Sequence, residues 1–530
     1  MKVTHIPFQK TGFFSKTMAD YLEQKDAIRP FYHNVPNLDG FQQQLKEKQA
    51  SFSTTSRTLL VGALRKQYKK VSVSEETQRN IDLLLKENTF TITTGHQLNL
   101  FTGPLYFLYK IISAINLCEE LQAKFPKQHF VPVYWMATED HDFDEINYFY
   151  FQGKKIQWNK ADGGAVGRFS TDGLQAVFEA FSEQLGATKN ATPLKELFEK
   201  AYLQHSDLAN ATRCIANALF SNYGLVIVDG DDSALKQEFS PFIKEELLNK
   251  TSFQAVSETV AALRKEYEIQ VNPREINLFY LGDDFRERII KEGDNYIVNN
   301  TEISWSLDEV LEEAASFPEK FSPNVLMRPL YQEVVLPNLC YIGGGGELAY
   351  WLELKTYFKK ADIPFPILLL RNSVQVISKN QQKKLNNLTI SVEELFLKQQ
   401  DLLAKKVIEN AGISMGFSTQ KKQLIAQFKT LKTVAEKTDG SFIGAVNAQE
   451  KKQLNGLDTL EKRLLRAEKR RQKELVARIV ALQNQLLPNQ SLEERQRNFS
   501  DYYLEYGNAF IEALKVSLKP LQLEFTILEM

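Results

Sequence analysis

The sequence predicts an α/β fold, in which a parallel-sheet core with helical connecting inserts is followed by an antiparallel α-helical coiled coil. Two observations support this prediction. Through about residue 380, apolar strand-like runs alternate with helical segments, as in βαβ units. Beyond that point the chain is charged and poor in glycine, and its apolar residues follow heptad spacing.

The core prediction rests on apolar runs that are nearly continuous, which is typical of parallel strands buried on both faces. A helical stretch, "LYFLYKIISAINLCEELQAKF", separates the first two runs and completes a strand–helix–strand unit. The predicted strands are "TFTITT" (89–94), "HFVPVYWMAT" (129–138), "GLVIVDGDD" (224–232), "LCYIGGGGE" (339–347) and "PFPILLLRNS" (364–373).

Three regions follow from these patterns. Residues 1–380 form the sheet core, with helical inserts at about 160–220 and 233–320. Residues 381–500 form the coiled-coil hairpin, and residues 501–530, which end in the strand-like "PLQLEFTILEM", return to the core.

Apolar positions in the coiled-coil region are spaced 3-4-3 at 457, 460, 464 and 467, and 4-3-4 at 475, 479, 482 and 486. A single hairpin does not bury all the apolar residues of this seam. Two-fold dimers are the commonest oligomers that bury such a surface, so we expect a homodimer.

Composition excludes several classes of protein. The 530 residues carry a net charge of -1, so the protein as a whole is not attracted electrostatically to nucleic acid or to a membrane. The three cysteines form no CxxC, which argues against a disulfide framework and suits a reducing compartment. The first residues, "MKVTHIPFQKTGFF", lack the apolar core expected of a signal peptide, and the sequence contains no apolar run of 18 residues. We therefore expect a soluble cytoplasmic protein with no nucleic-acid or membrane partner.

Each predicted strand ends in small or polar residues: "TGHQ", "TEDHD", "DGDD", "GGGGE" and "RNS". In open α/β sheets, ligands bind outside the carboxyl ends of the strands. The five strand ends therefore predict one convergent site.

The stretch "EDHDFDE", residues 139–145, places five carboxylates around His141. A solvated acidic loop is one interpretation. A calcium loop is excluded, because the sixth position from Asp140 is Glu145 rather than glycine. The alternative is a polar pocket, in which crowded carboxylates raise one another's pKa and bind a substrate amine.

Two further motifs have competing interpretations. "TTGH" (93–96) lies between a strand and a helix, and it is either a tight turn or a phosphate-binding "HIGH"-type motif. "GGGGELA" (343–349) fits the dinucleotide pattern GxGxxA, but also a glycine turn packed on the sheet. The basic stretch 462–473 alternates with glutamates and leucines, which favours a solvated coiled-coil face over a nucleic-acid surface.

Taken together, the motifs "TTGHQLNLFTGPLYFLYK", "VPVYWMATEDHDFDEIN", "SPNVLMRPLYQEVVLPNLCYIGGGGELAYW" and "LLLRNS" resemble the bacillithiol biosynthesis cysteine-adding enzyme family. The resemblance covers essentially the whole chain. It implies a Rossmann-like core, inserts similar to those of cysteinyl-tRNA synthetases, and a dimeric C-terminal coiled coil. It also implies a ligase that forms a carbon–nitrogen bond, joining cysteine to glucosaminyl-malate as the last step of bacillithiol synthesis.

The expected site residues combine this resemblance with the strand-end positions. ATP is the expected source of carboxyl activation, and no metal site is expected. Two rival interpretations stay open at this point: a dinucleotide-dependent oxidoreductase that uses "GGGGELA", and a non-catalytic coiled-coil scaffold. The assignments are His96, His141, Asp142 and Asp144 for catalysis, Glu139, Asp140, Arg328 and Arg371 for substrate binding, and Thr93, Gly95 and His96 for nucleotide binding.

Overall fold

The structure is a computed structural model that describes residues 1–69, 71–160 and 163–530. The remaining residues fall within the predicted region 1–380 and lie outside the described residues. The described strands, in chain order, are β1 (Lys2–Ile6), β2 (Thr89–His96), β3 (His129–Met136), β4 (Tyr148–Phe151), β5 (Lys154–Gln157), β6 (Val226–Asp229), β7 (Leu278–Leu281), β8 (Arg286–Glu292), β9 (Asn295–Val298), β10 (Ser304–Trp305), β11 (Phe321–Pro323), β12 (Asn338–Gly343), β13 (Ile367–Leu370), β14 (Val374–Ile377) and β15 (Phe525–Glu529).

Helices occupy most of the remaining chain. The described α-helices are α1 (Phe8–Thr11), α2 (Lys16–Leu22), α3 (Leu38–Ser51), α4 (Thr54–Gln67), α5 (Glu75–Leu83), α6 (Tyr106–Lys124), α7 (Phe143–Ile146), α8 (Leu174–Leu185), α9 (Ala191–Phe198), α10 (Leu208–Phe220), α11 (Ser233–Asn249), α12 (Thr251–Leu263), α13 (Leu307–Ser316), α14 (Arg328–Val335), α15 (Gly345–Trp351), α16 (Lys355–Lys360), α17 (Lys379–Asn387), α18 (Val392–Leu395), α19 (Gln399–Glu409), α20 (Ser418–Ala435), α21 (Gly440–Arg471), α22 (Lys473–Leu486), α23 (Phe499–Tyr506) and α24 (Ala509–Ser517).

The chain forms two compact units. Unit 1 comprises Met1–Gln9, Phe13–Gln375 and Glu493–Leu528, and unit 2 comprises Lys10–Gly12, Val376–Leu492 and Glu529–Met530. The sequence analysis places the corresponding region boundaries at 380 and 500.

A five-stranded sheet in the order β13-β12-β2-β3-β6 forms the centre of unit 1. All its neighbouring strands are parallel, which confirms the predicted sheet class. Every residue of β2, β12 and β13 is buried, as expected for strands covered on both faces. The helix α6 connects β2 to β3, and its apolar positions pack with Phe90 and Ile92 in the core. The carboxyl ends of the strands therefore meet at one edge.

The second predicted insert is not wholly helical, and this part of the sequence prediction is wrong. It contains most of an antiparallel sheet in the order β10-β9-β8-β7-β11. The strand β8 reads "RERIIKE", and only one of its residues is buried. Short strands with few fully buried residues, such as β8, carry little apolar alternation, so their pattern is weak in the sequence.

Helices α20 and α21 form an antiparallel hairpin within unit 2. Lys432 on α20 pairs with Glu450 on α21, and Lys421 on α20 pairs with Glu461 on α21. Moving eleven residues back along α20 therefore corresponds to moving eleven residues forward along α21, so the two helices run in opposite directions. Phe428 and Val446 pack in a small apolar cluster between them. The start of the predicted hairpin region 381–500 contains three shorter helices, of which α17 begins just before residue 381: α17, α18 and α19.

Within the described ranges, no helix has the length and apolar character needed to cross a membrane.

Exposed apolar side chains on the hairpin allow a test of the predicted homodimer. Leu431 is 48% exposed and Val434 is 54% exposed. We expect Leu431→Glu combined with Val434→Glu to give a monomer, because charges resist burial in an apolar interface. Light scattering should give about twice 60.8 kDa for the unmodified chain. The control Lys429→Glu should remain dimeric, and a monomeric unmodified chain at micromolar concentration would refute the prediction.

Candidate active site

A cavity of about 800 Å³ lies at the carboxyl ends of four central strands. Its walls include the ends of β2 and β3, the turn after β12 and the residue after β13. Additional walls come from the loop before β7, from β8 and from a single turn of 3₁₀ helix, Glu493–Arg495. Four of the five predicted strand ends therefore converge, whereas the stretch "DGDD" at the end of β6 is not part of the described lining. All lining residues belong to unit 1.

A buried lysine holds the base of the cavity together. Lys110 is on α6, is only 4% exposed, and donates a hydrogen bond to the carbonyl oxygen of Gly95 at 2.8 Å. Its ammonium also pairs with Glu347. Glu347 accepts hydrogen bonds from Tyr341 Oη at 2.7 Å and from the backbone N–H of Gly344 at 2.8 Å. Burial acts to raise the pKa of Glu347, but Lys110 and these donors outweigh it, so the carboxylate stays ionised.

Gly95 allows this close approach. A Cβ atom at this position would lie 3.1 Å from Tyr341 Oη and 3.9 Å from Nη1 of Arg328. A side chain here would press on the hydroxyl that holds Glu347. The glycine of the "TTGH" motif therefore has a packing role in the cavity wall.

His96 is buried and neutral. Its Nδ1 lies 2.7 Å from the carbonyl oxygen of Gln97, and because a carbonyl only accepts, Nδ1 carries the proton. Burial, together with the charge of Lys110, lowers the pKa of His96 to about 3. Nε2 therefore carries a lone pair, and it has no partner among the described residues. A neutral imidazole with this tautomer is an acceptor, which differs from the phosphate-binding donor expected from the sequence.

Glu139 forms a buried ion pair. Its Oε1 accepts from Lys236 Nζ, and Lys236 is fully buried. Lys236 also donates to the carbonyl oxygen of Phe321 at 2.8 Å. Burial raises the pKa of Glu139, and the neighbouring ammonium opposes this shift. Glu139 lines the cavity as predicted, but its negative charge is already balanced by the ammonium of Lys236.

Asp140 and His141 lie at the same wall. Asp140 accepts from Gln97 Nε2 at 2.9 Å and from the backbone N–H of His141 at 2.8 Å. Burial acts to raise the pKa of Asp140, but the side chain of His141, the hydrogen bonds from Gln97 and from the His141 backbone, and the charge of Arg286 hold it well below its ordinary value. Arg286 Nη1 lies 2.9 Å from Nδ1 of His141, and a guanidinium only donates, so this nitrogen is the acceptor.

Three predicted site residues do not line the cavity. Asp142 and Asp144 are exposed, and Asp144 accepts a long hydrogen bond of 3.4 Å from Asn147. Thr93 is fully buried, and its hydroxyl donates to Asn338 Oδ1 at 2.8 Å. The geometry thus gives Thr93 a structural bond inside the sheet and leaves the two aspartates in solvent. None of the described residues forms a group of three or more potential metal ligands.

The two predicted arginines both line the cavity. Arg371 is 5% exposed and pairs with Glu494 at 2.8 Å. Arg328 donates from Nη1 to Gln332 at 3.1 Å, and it makes no ion pair with any residue that the structure describes. Arg328 is therefore the freer of the two cations.

The sequence analysis missed most of the positive charge in the cavity. The described lining has three acidic side chains, Glu139, Asp140 and Glu347, against seven basic ones. Arg286 and Arg288 lie on one face of β8, and their spacing of two was the available signal. Lys110, a single lysine among the apolar residues at the start of α6, was a second signal of this kind. The basic side chains of the lining are Lys110, Arg274, Arg286, Arg288, Arg328, Arg371 and Arg495.

One backbone donor of the glycine-rich turn after β12 is already used by the protein. The carboxylate of Glu347 accepts from the N–H of Gly344 at the start of α15, where a pyrophosphate would compete with it for this donor. This contact favours the glycine-turn interpretation of "GGGGELA" over the dinucleotide interpretation.

We expect Glu139→Gln to destabilise unit 1 by about 3 kcal/mol, because it leaves the ammonium of Lys236 buried without its counter-charge. The double change Glu139→Leu with Lys236→Met should restore most of this loss. All four tryptophans of the chain lie in unit 1, so urea unfolding followed by tryptophan fluorescence measures the effect. If Glu139→Gln left the stability unchanged but weakened substrate binding, Glu139 would instead be a substrate-binding residue.

The low pKa of His96 makes stability depend on pH. Its folded pKa of about 3 lies below the ordinary value of 6.5, so the unfolded chain binds the extra proton between these values. Stability is therefore lost as pH falls below about 6.5, and about 2 kcal/mol is lost between pH 7 and pH 5. We expect His96→Asn to lack this part of the pH dependence in urea unfolding. Identical slopes for both proteins would mean that His96 is charged in the folded state.

Comparison with known proteins identifies the family. Residues 1–372 match the family described as "Bacillithiol biosynthesis BshC, N-terminal Rossmann-like domain", and residues 374–530 match its "C-terminal coiled-coil domain". A solved structure described as a "putative arginyl t-RNA synthetase" from Campylobacter jejuni covers 87% of this chain and 98% of its own at 9% identity, but its TM-score of 0.22 supports no conclusion.

Relatives named "Putative cysteine ligase BshC" align along the full chain. The protein of Flavobacterium johnsoniae is 55% identical over 99% of both chains. That of Christiangramia forsetii is 54% identical over 100% of this chain and 99% of its own, and that of Cytophaga hutchinsonii is 40% identical over 98% and 97%. The chain therefore belongs to the BshC family of bacillithiol biosynthesis.

Proposed function

We propose that this protein is a ligase that joins the carboxyl group of cysteine to the amine of glucosaminyl-malate, as the last step of bacillithiol synthesis, and that ATP activates the carboxyl group. Family membership and the names of the aligned relatives support the class of reaction. The chemistry of the cavity supports the class of substrate.

The excess of cations in the cavity is the observation on which the proposal rests. Seven basic and three acidic side chains line it, so an anionic ligand is favoured and a purely cationic one is disfavoured. A malyl group carries two carboxylates, and planar guanidinium groups bind carboxylates through paired hydrogen bonds. Arg328 is suited to this role because no carboxylate of the described protein pairs with it.

The size and the charge of the cavity support ATP as the source of activation. Its volume of about 800 Å³ is within the usual range for small-molecule sites. Since the N–H of Gly344 is engaged by Glu347, phosphate oxygens would be held by arginine and lysine side chains instead of the glycine turn. ATP would supply the leaving group that makes amide formation from a carboxylate favourable.

Asp140 is the acid best placed to bind an amine. It lines the cavity, and its pKa is held well below the ordinary value, so it remains ionised at neutral pH. Glu139 is paired with Lys236, while Asp142 and Asp144 lie in solvent. The amine must lose its proton before it attacks, and Glu139, whose pKa burial raises, has the greater proton affinity of the two lining acids of this run.

The proposal predicts that purified protein, cysteine, glucosaminyl-malate and ATP together give the amide product, measured by mass spectrometry. Omitting any one of the three substrates should abolish the product. Phosphorus NMR of the same mixture distinguishes AMP with pyrophosphate from ADP with phosphate, and so identifies the activated intermediate. The absence of product from the complete mixture would contradict the proposal.

A matched pair of variants tests the cationic cavity within this assay. Arg328→Gln should raise the KM for glucosaminyl-malate about tenfold or more, as expected from the loss of a hydrogen bond to a charged group. Arg79→Gln removes an exposed arginine on α5, outside the cavity, and should leave the KM unchanged. Equal KM values for both variants would remove Arg328 from the substrate site.

A further inference from the structure

The chain re-enters unit 1 immediately after unit 2, through a short stretch that we call the return segment (residues 493–498). This stretch falls within the part of the chain that matches the C-terminal coiled-coil domain of the family, residues 374–530. In the structure it belongs to the same compact unit as the cavity. The cavity is therefore not built from the N-terminal match alone.

A buried carboxylate fixes one end of the return segment. Glu494 is fully buried, and its Oε1 accepts from Arg371 Nη2 at 2.8 Å and from Ser373 Oγ at 3.2 Å. Its Oε2 accepts from the backbone N–H of Val374 at 3.2 Å. These bonds attach the segment to the chain that leaves β13.

The other end is fixed to the loop that follows β2. Asn498 Nδ2 donates to the carbonyl oxygens of Phe101 at 2.7 Å and Gly103 at 2.6 Å. Phe101 has a φ of 46°, which is unusual for a residue with a side chain, so the loop conformation needs external support. The backbone N–H of Leu105 also donates to the carbonyl oxygen of Arg497 at 2.8 Å.

Arg495 lies between these two attachments. Its side chain is exposed and lines the cavity. Among the described residues, no carboxylate and no hydrogen-bond acceptor pairs with its guanidinium. It lines a cavity that has more basic than acidic side chains, and this excess favours an anionic ligand. A fixed backbone thus holds an unpaired cation at a cationic cavity.

We propose that Arg495 binds an oxyanion group of the cavity's ligand, either a carboxylate or a phosphate. The identity of that ligand as the malyl group or the nucleotide rests on the proposed function. The binding role itself rests on the geometry of the return segment. It assigns a substrate-binding residue to the stretch of chain after the coiled coil.

Isothermal titration calorimetry on the full chain tests this inference with three probes: L-malate, inorganic phosphate and ADP. Arg495→Gln should weaken the binding of at least one probe tenfold or more. Arg495→Lys keeps the charge but not the planar fork, and should recover part of the affinity. Arg79→Gln, an exposed arginine outside the cavity, should bind every probe like the unmodified chain.

The pattern of losses identifies the source of the oxyanion. Weaker binding of malate alone supports the carboxylate, and weaker binding of phosphate and ADP alone supports the nucleotide. Unchanged binding of all three probes by Arg495→Gln overturns the inference, as does an unmodified chain that binds none of them. If the unmodified chain makes no amide product but Arg495→Gln loses anion binding, the proposed function fails while this inference stands.

Discussion

The ammonium of Lys110 connects three elements on which the cavity depends. It lies on α6, donates to the end of β2 at Gly95 and pairs with Glu347 at the start of α15. Burying an ammonium is costly unless its donors are satisfied and its charge is matched, so these elements can move apart only at a large free-energy cost. The same charge helps to keep His96 neutral, and the same carboxylate accepts from the N–H of Gly344 in the glycine turn. The ion pair between buried Lys110 and partly exposed Glu347 therefore sets both the shape and the electrostatics of the cavity base.

The position of the site was predictable because the burial of parallel strands leaves a strong pattern. Near-continuous apolar runs mark β2, β3, β12 and β13, and the residues that follow them are forced to one edge of the sheet. Arg371 was predicted from this position alone, and Gly95, His96, Glu139 and Asp140 from this position together with the family resemblance. All five residues line the cavity.

The spacing of the acidic residues does not predict which of their side chains line the cavity and which are exposed to solvent. Asp140 and Asp142 are two residues apart in an irregular stretch after β3, where no period relates sequence to side-chain direction. Asp140 contacts Gln97 and lines the cavity, whereas Asp142 is exposed. The partner of Glu139, Lys236, is 97 residues away. Arg286 and Arg495 come from an antiparallel strand and from the return segment, which carry no strand-end pattern. Such residues are brought together by tertiary packing, and a local pattern does not contain that information.

The ends of the long excursion through unit 2 meet again in unit 1. Gln375 Nε2 donates to Glu493 Oε1 at 2.7 Å, and Glu494 reaches Arg371 across 123 positions of the chain. During synthesis, the chain through β13 must therefore wait for more than a hundred further residues before Arg371 gains its counter-charge and the loop after β2 gains its support. A nascent chain that stops within the coiled coil lacks both Glu494, which pairs with Arg371, and Arg495, which lines the cavity. Completion of the cavity therefore depends on residues that are translated more than a hundred positions after β13.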